Sequence, residues 1–219
     1  MTGTGNQGKF ITLEGGEGAG KSTQVVRLSA FLRAKGIDVC ETREPGGTPG
    51  AEAIRSLLVE GEPGRWTPMT EALLHSAART DHLARLVRPA LAAGTWVICD
   101  RFTDSTLAYQ GYGHNLGVER ISALNDLVSE GLKPDLTLIL DISPEDGLAR
   151  ARHRGQEGVN GAEDRYERMD RSFHDRLRAG FIAIAEAEAD RCVIINAAAD
   201  TENVASQIAA AVSERLGLS

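Results

Sequence analysis

Cysteine is scarce and scattered. Cys40, Cys99 and Cys192 are the three in 219 residues, an odd number with no two closely spaced. Neither a disulfide framework nor a zinc site is written into such a chain, and the three read as small buried hydrophobes of a reducing cytosol. Positive charge is not in excess. A formal net charge of −7 argues against a general binder of nucleic acid or of membrane surfaces. Long apolar runs are missing, so no membrane-spanning helix is expected. The polar, glycine-rich residues 1–9 carry no apolar leader segment, which points to a cytoplasmic protein. Internal repeats and low-complexity linkers are absent. So is any Ser–His–Asp or Cys–His arrangement of the kind that makes a covalent nucleophile.

What is present suffices for one core. With 42% hydrophobic residues, residues 1–219 read as a single α/β domain with a flexible N-terminus over 1–8. Apolar, β-rich segments at 10–13, 37–41, 95–99, 136–140 and 192–195 recur between helical stretches. Continuous apolar runs separated by helices predict a parallel five-stranded sheet covered on both faces. Thr67 before Pro68 and Ser143 before Pro144 are N-cap and first-turn pairs, and Asp200 is a cap for the last helix. Gly36 and Gly94 stand where helices should end. A glycine-rich interruption at 155–162, flanked by arginines, has the composition of a moving flap, and a mobile lid is expected over about 150–165.

The densest chemical signal is Gly15-Gly16-Glu17-Gly18-Ala19-Gly20-Lys21-Ser22, followed by Thr23. It fits Gly-x-x-x-x-Gly-Lys-Ser/Thr without mismatch, after an apolar run and before a helical run at 24–35. That setting marks a phosphate-binding loop. Glycines let successive backbone N–H groups turn toward one anion, and the helix dipole adds positive potential. Lys21 supplies a point charge for the β- and γ-phosphates, and the Ser22 hydroxyl can ligate Mg2+. The alternative is a glycine-rich turn that binds nothing.

Three further groups surround it. Asp100-Arg101 lies just past a strand end, where ligands of open parallel sheets sit. Arg101 can bind a second phosphate there, or simply close the strand by pairing with Asp100. Arg43, in Arg43-Glu44-Pro45-Gly46-Gly47-Thr48, follows another strand and brings a second arginine to the same edge. Two arginines converging there favour an anionic substrate. His75 and Arg79 are four apart on the helix that begins near Pro68 and share a face, where a ring and a forked donor can stack on a base and read its edge. An ordinary half-buried helix face is the other reading. From Arg150 to Arg178 there are eight arginines and no lysine. Arg154 abuts the flap and can neutralise charge on a transferring phosphoryl group. Arg168, Arg171, Arg176 and Arg178 read as a solvated charged face.

Taken together, these motifs resemble those of bacterial thymidylate kinases over nearly the whole chain. The resemblance rests on Leu13-Glu14 and the loop, on Arg43 to Thr48, on His75-Ser76-Ala77-Ala78-Arg79, on Asp100-Arg101-Phe102-Thr103-Asp104-Ser105-Thr106-Leu107-Ala108-Tyr109-Gln110-Gly111, and on Pro134 to Asp141. It implies a P-loop NTPase fold, ATP and dTMP as substrates, Mg2+ as cofactor, and a homodimer. It also implies roles. Glu17 accepts a hydrogen bond from the sugar 3′-hydroxyl. Arg101 and Arg43 hold the acceptor phosphate. Arg79 donates to the thymine carbonyl edge, Tyr109 crowds the 2′ position, and Thr106 and Gln110 line the pocket. Lys21 and Arg154 stabilise the phosphoryl group in flight, and Ser22 with Asp100 helps hold Mg2+. The loop interior, Gly16-Glu17-Gly18-Ala19, has no basic residue while the lid holds Arg150, Arg152 and Arg154, similar to the family's lid-arginine type. One departure stands out: His75 occupies the place of the family's thymine-stacking Phe. A kinase for another small anionic acceptor, or a nucleotide-dependent switch, is told apart by whether ATP consumption requires thymidylate.

Overall fold

The computed structural model describes residues 7–62, 64–156 and 165–218, without the side chains of 154–156. All five expected strands form: β1 (Phe10–Glu14), β2 (Val39–Arg43), β3 (Trp96–Asp100), β4 (Leu136–Asp141) and β5 (Cys192–Asn196). They make one sheet in the order β2-β3-β1-β4-β5, with every pairing parallel. The helices are α1 (Lys21–Ala34), α2 (Pro49–Val59), α3 (Pro68–His82), α4 (Arg88–Ala92), α5 (Thr103–Thr106), α6 (Val118–Ser129), α7 (Pro144–Gln156), α8 (Arg171–Ala187) and α9 (Thr201–Leu216). From β1 the chain moves to one side for β2 and β3 and to the other for β4 and β5. The loop after β1 therefore leaves the sheet at the point where strand order switches, the place such sheets keep for ligands.

Side-chain alternation fills both faces. Ile11 and Leu13 of β1 pack with Val25, Leu28 and Leu32 of α1, Leu138 of β4, and Ile208 and Val212 of α9. Phe10 packs with Leu83, Val97, Cys99 and Phe102, and Ile139 with Phe173, Leu177 and Phe181 of α8. The three cysteines are free thiols, and Cys99 and Cys192 lie inside these clusters. Among the described residues no helix is long and apolar enough to cross a membrane.

Boundaries differ from the sequence reading in two instructive places. The first helix starts at Lys21 rather than residue 24, because Gly20, at φ 88, turns the loop directly into the helix. The second strand runs over Val39–Arg43 rather than 37–41. Ile37 is spent on ending α1: Gly36 N–H bonds to Arg33 C=O at 2.9 Å and Ile37 N–H to Leu32 C=O at 3.1 Å, with Gly36 at φ 77, a Schellman closure. The caps read from sequence are in place. Thr67 accepts from Thr70 N–H, Ser143 from Asp146 N–H and Asp200 from Asn203 N–H.

Two stretches widen into π-helix. Leu83–Val87 joins α3 to α4. Pro89 lies just beyond; it has no N–H and its ring would strike the carbonyl four residues back in a regular helix. The second, Leu107–Gly113, carries Tyr109 and Gln110, and such widened turns recur at functional sites.

Candidate active site

The strand register brings the chemistry to one edge. Arg43 of β2 is level with Asp100 of β3, and Asp100 with Leu13 of β1. Gly15, Gly16, Glu17, Gly18, Ala19 and Gly20 form the connection from β1, and Lys21, Ser22 and Thr23 open α1. The Lys21 ammonium folds back over the loop and donates to the Gly15 carbonyl at 3.1 Å and the Gly16 carbonyl at 2.8 Å. Burial first, and the nearby Arg101 charge second, lower its pKa to about 8, against the pull of Asp100, Glu17 and Glu14.

Arg101 is the hub. It sits at φ 69, a left-handed conformation that costs a non-glycine residue about 1–3 kcal/mol and is kept where surrounding structure demands it. Its backbone N–H bonds to Leu13 C=O at 2.9 Å. Its guanidinium reaches the Gly15 carbonyl at 2.9 Å, Ser105 Oγ at 3.2 Å and Glu17 Oε1 at 3.2 Å, and lies over the Tyr109 ring. Burial opposes its charge, but Tyr109, Glu17, Asp100 and Glu14 outweigh that and raise its pKa. Asp100 meanwhile accepts from Ser22 Oγ at 2.6 Å, so the neighbouring Asp and Arg take different partners.

Glu17 accepts from Arg101 and from the Tyr109 hydroxyl. Burial works against its carboxylate, yet Arg101, Lys21 and Tyr109 together hold its pKa below the ordinary value. Beneath it, Glu14 is fully buried and accepts from Phe102 N–H at 2.8 Å and Ser105 Oγ at 2.5 Å. Burial, then the charge of Asp104, push Glu14 up to about 7.

Arg79 is 1% exposed. Its Nε donates to Glu44 Oε2 at 2.8 Å, Nη1 to Asn125 Oδ1 at 2.9 Å and Nη2 to Thr106 Oγ1 at 2.9 Å, which leaves two of five N–H groups uncommitted. His82, also buried, contacts Glu44 Oε1 at 2.9 Å and Thr42 Oγ1 at 2.7 Å. His75 meets the Tyr166 hydroxyl at 3.2 Å. Burial and the charges of Arg79, Arg101 and Arg55 lower its pKa to about 3, so its ring is neutral at physiological pH. Gln110 Nε2 reaches Glu71 at 3.4 Å, while its buried Oε1 has no partner among the described residues.

Other expected residues are placed differently. Arg43 is exposed and paired with Glu52 at 3.1 Å. Arg150 donates to the Ala197 and Ala198 carbonyls at 2.8 and 3.2 Å, which ties α7 to the loop after β5. Arg152 is exposed. The side chain of Arg154 and residues 157–162 of the expected flap lie outside the described residues, as do residues 1–6, while 155 and 156 continue α7. Arg171 pairs with Asp175 and Arg178 with Asp141 at the surface.

Sequence reasoning passed over Glu44, Glu71, Asp104, Arg165 and Tyr166. Glu71 is buried and accepts from Arg165, from Tyr166 at 3.3 Å and from Gln110. Asp104 takes a bidentate contact from Arg191 at 2.7 and 2.8 Å. Glu44 and Asp104 sat inside conspicuous motifs; Arg165 was one arginine in a run. Ser22 and Asp100, two hard oxygen donors side by side, suit Mg2+, which takes few protein ligands and completes its shell with phosphate and water. Among the described residues no group of three His, Cys, Asp or Glu side chains forms an all-protein cage.

The chain matches the thymidylate kinase family model over residues 13–208. It is 55% identical over 212 residues to a thymidylate kinase of Caulobacter vibrioides, covering 97% of this chain and 99% of that one. It is 50% identical over 209 residues to a thymidylate kinase of Rhizorhabdus wittichii, covering 95% and 99%. A crystal structure of thymidylate kinase from Ehrlichia chaffeensis superposes with a TM-score of 0.76 at 33% identity, covering 94% of this chain and 99% of that one.

Proposed function

The chain belongs to the thymidylate kinase family and phosphorylates dTMP to dTDP with ATP, and on that premise we propose that the cluster centred on Arg101 is where the reaction takes place. The observation that carries this reading is the reach of one guanidinium. Arg101 touches the phosphate loop at Gly15 and Glu17 together, so a phosphate held by Arg101 faces the γ-phosphate cradled by the loop.

The chemistry follows from charge. The acceptor phosphate is already ionised near pH 7, so no stronger nucleophile has to be made. The work is to bring two anions together and neutralise what develops between them. Loop amides of Gly15, Gly16, Gly18, Ala19 and Gly20, the start of α1 at Ser22 and Thr23, and Lys21 hold the donor phosphates. Arg101, with Arg43 once released from Glu52, holds the acceptor. Glu17 takes the sugar 3′-hydroxyl, Tyr109 limits space at the 2′ position, and His75 stacks as a neutral ring. Arg79 offers its two uncommitted N–H groups to the thymine edge, with Thr106 and Gln110 beside it. Arg154 acts from the lid expected over about 150–165. Ser22 and Asp100 would hold Mg2+, which would offset charge on the donor phosphates.

Leu73 of α3 and Leu127 of α6 are 53% and 74% exposed on helices that pack together. This supports a homodimer that covers exposed apolar residues of these helices, which light scattering tests. The free thiols fit a reducing cytoplasm. The test of function is ADP release from Mg-ATP with and without dTMP, beside other nucleoside monophosphates. Stimulation by dTMP, lost in Arg101→Met, supports the site. Stimulation that survives Arg101→Met places the acceptor elsewhere.

A further inference from the structure

We propose that Gly147 is a positioning residue for phosphoryl transfer: the first turn of α7 seats its backbone on the phosphate loop and sets the height of the arginine-bearing helix above it.

Gly147 is buried in the first turn of α7, and its N–H bonds to Ser143 C=O at 2.9 Å. Its φ lies outside the left-handed region, so the backbone there does not call for glycine. Alanine is the better helix former at such a position. What alanine lacks is room. A Cβ on Gly147 would overlap the Glu17 carbonyl oxygen and lie 3.3 Å from Ile142 Cγ2. The contact is reciprocal. A Cβ on Gly18 would lie 2.6 Å from the Gly147 carbonyl carbon and 2.9 Å from its Cα. Two backbones thus meet glycine to glycine, with no flexible side chain between them to give way.

The loop side of this contact is the Glu17–Gly18 peptide. Glu17 points its carboxylate at Arg101 and Tyr109, on the acceptor side. Gly18 belongs to the amide cradle on the donor side. One peptide therefore joins both substrates' sites, and α7 braces it from behind. On the helix side, Arg150 follows Gly147 at a spacing of three and shares its face. Arg150 anchors that face to Ala197 and Ala198. The closeness of Gly147 to the loop therefore sets how near the helix stands to the transferring group.

Gly147→Ala must separate loop and helix by on the order of 1 Å, and a misplacement of that size can cost about 100-fold in rate. The expected result is kcat lowered by roughly tenfold to 100-fold with both KM values within about threefold. ADP formed per dTDP should also rise above one, because a lifted helix admits water to the γ-phosphate. Unchanged kcat with a one-to-one product ratio overturns the proposal. So does a parallel loss of kcat, both KM values and Tm with the ratio still one, which is what a merely structural glycine would give. Should Gly147→Ala fail to fold, Ser143→Ala adds no bulk and only loosens the first turn by removing its cap. The same split, smaller in size, supports the proposal, and its absence overturns it. The inference rests on the phosphate-loop reading, which Lys21→Met tests separately: retained transfer there refutes that reading rather than the role of Gly147.

Discussion

Glu44→Ala should be severely destabilising. Its side chain, 4% exposed, faces the side chains of Arg79 at 2% and His82 at 0%, so water screens none of these contacts. With the proton on His82 Nδ1, that ring donates to Glu44 and accepts from the Thr42 hydroxyl, the tautomer that satisfies every partner. Removing one member of a buried ion pair costs about 3–5 kcal/mol, because the other charge stays buried. Leaving the His82 N–H unmet adds about 1–3 kcal/mol. Arg79 keeps Asn125 and Thr106, which draws the sum to the lower end, about 4 kcal/mol. At about 2–4 °C per kcal/mol for a chain of this size, Tm should fall by about 8–16 °C. The assay is thermal and urea unfolding of Glu44→Ala, Arg79→Met and the double variant. Replacing both partners should cost much less than the sum of the singles, with a coupling of about 2 kcal/mol or more. A loss below about 1 kcal/mol for Glu44→Ala, or additive singles, refutes the reasoning. In the folded fraction, KM for dTMP should rise, since Arg79 loses its Nε anchor.

Three further outcomes are expected. His75→Phe should keep or lower KM for dTMP and leave the pH profile unchanged between pH 5 and 8, since His75 is lowered to about 3. Because the unfolded chain protonates this histidine near 6.5 and the folded one does not, wild-type stability should fall as pH drops below 6.5, and His75→Phe should reduce that slope in urea titrations. A new inflection in the profile, or a large loss of activity, would mean His75 has another task. Lys21, lowered to about 8, should make kcat/KM for ATP decline as pH rises through about 8, and Lys21→Arg should remove that inflection if it leaves measurable activity. A flat wild-type profile to pH 9.5 would contradict the assignment. Arg154→Ala should lower kcat more than it raises either KM, since its contact forms during transfer. Unchanged kcat shifts the role to Arg150 or Arg152.

The strands, most caps and the phosphate loop were legible in the chain alone. These depend on neighbours within a few residues: apolar runs that must be buried, prolines and glycines with restricted φ, and a contiguous motif around Lys21. The family was legible for the same reason, since its signatures are contiguous. Which distant groups meet is a matter of packing. Nothing near Glu44 in sequence announces that one carboxylate holds Arg79 and His82 from 35 and 38 residues away. Nor does the arginine run show that Arg165 is buried on Glu71 while Arg171 and Arg178 stay at the surface. Arg43, read as a second arginine at the same edge as Arg101, has Glu52 as its partner. Gly147 looks like a poor helix residue until the loop it touches is seen. Charge partners and close backbone approaches depend on strand order and helix packing, and in those every part of the chain takes part at once.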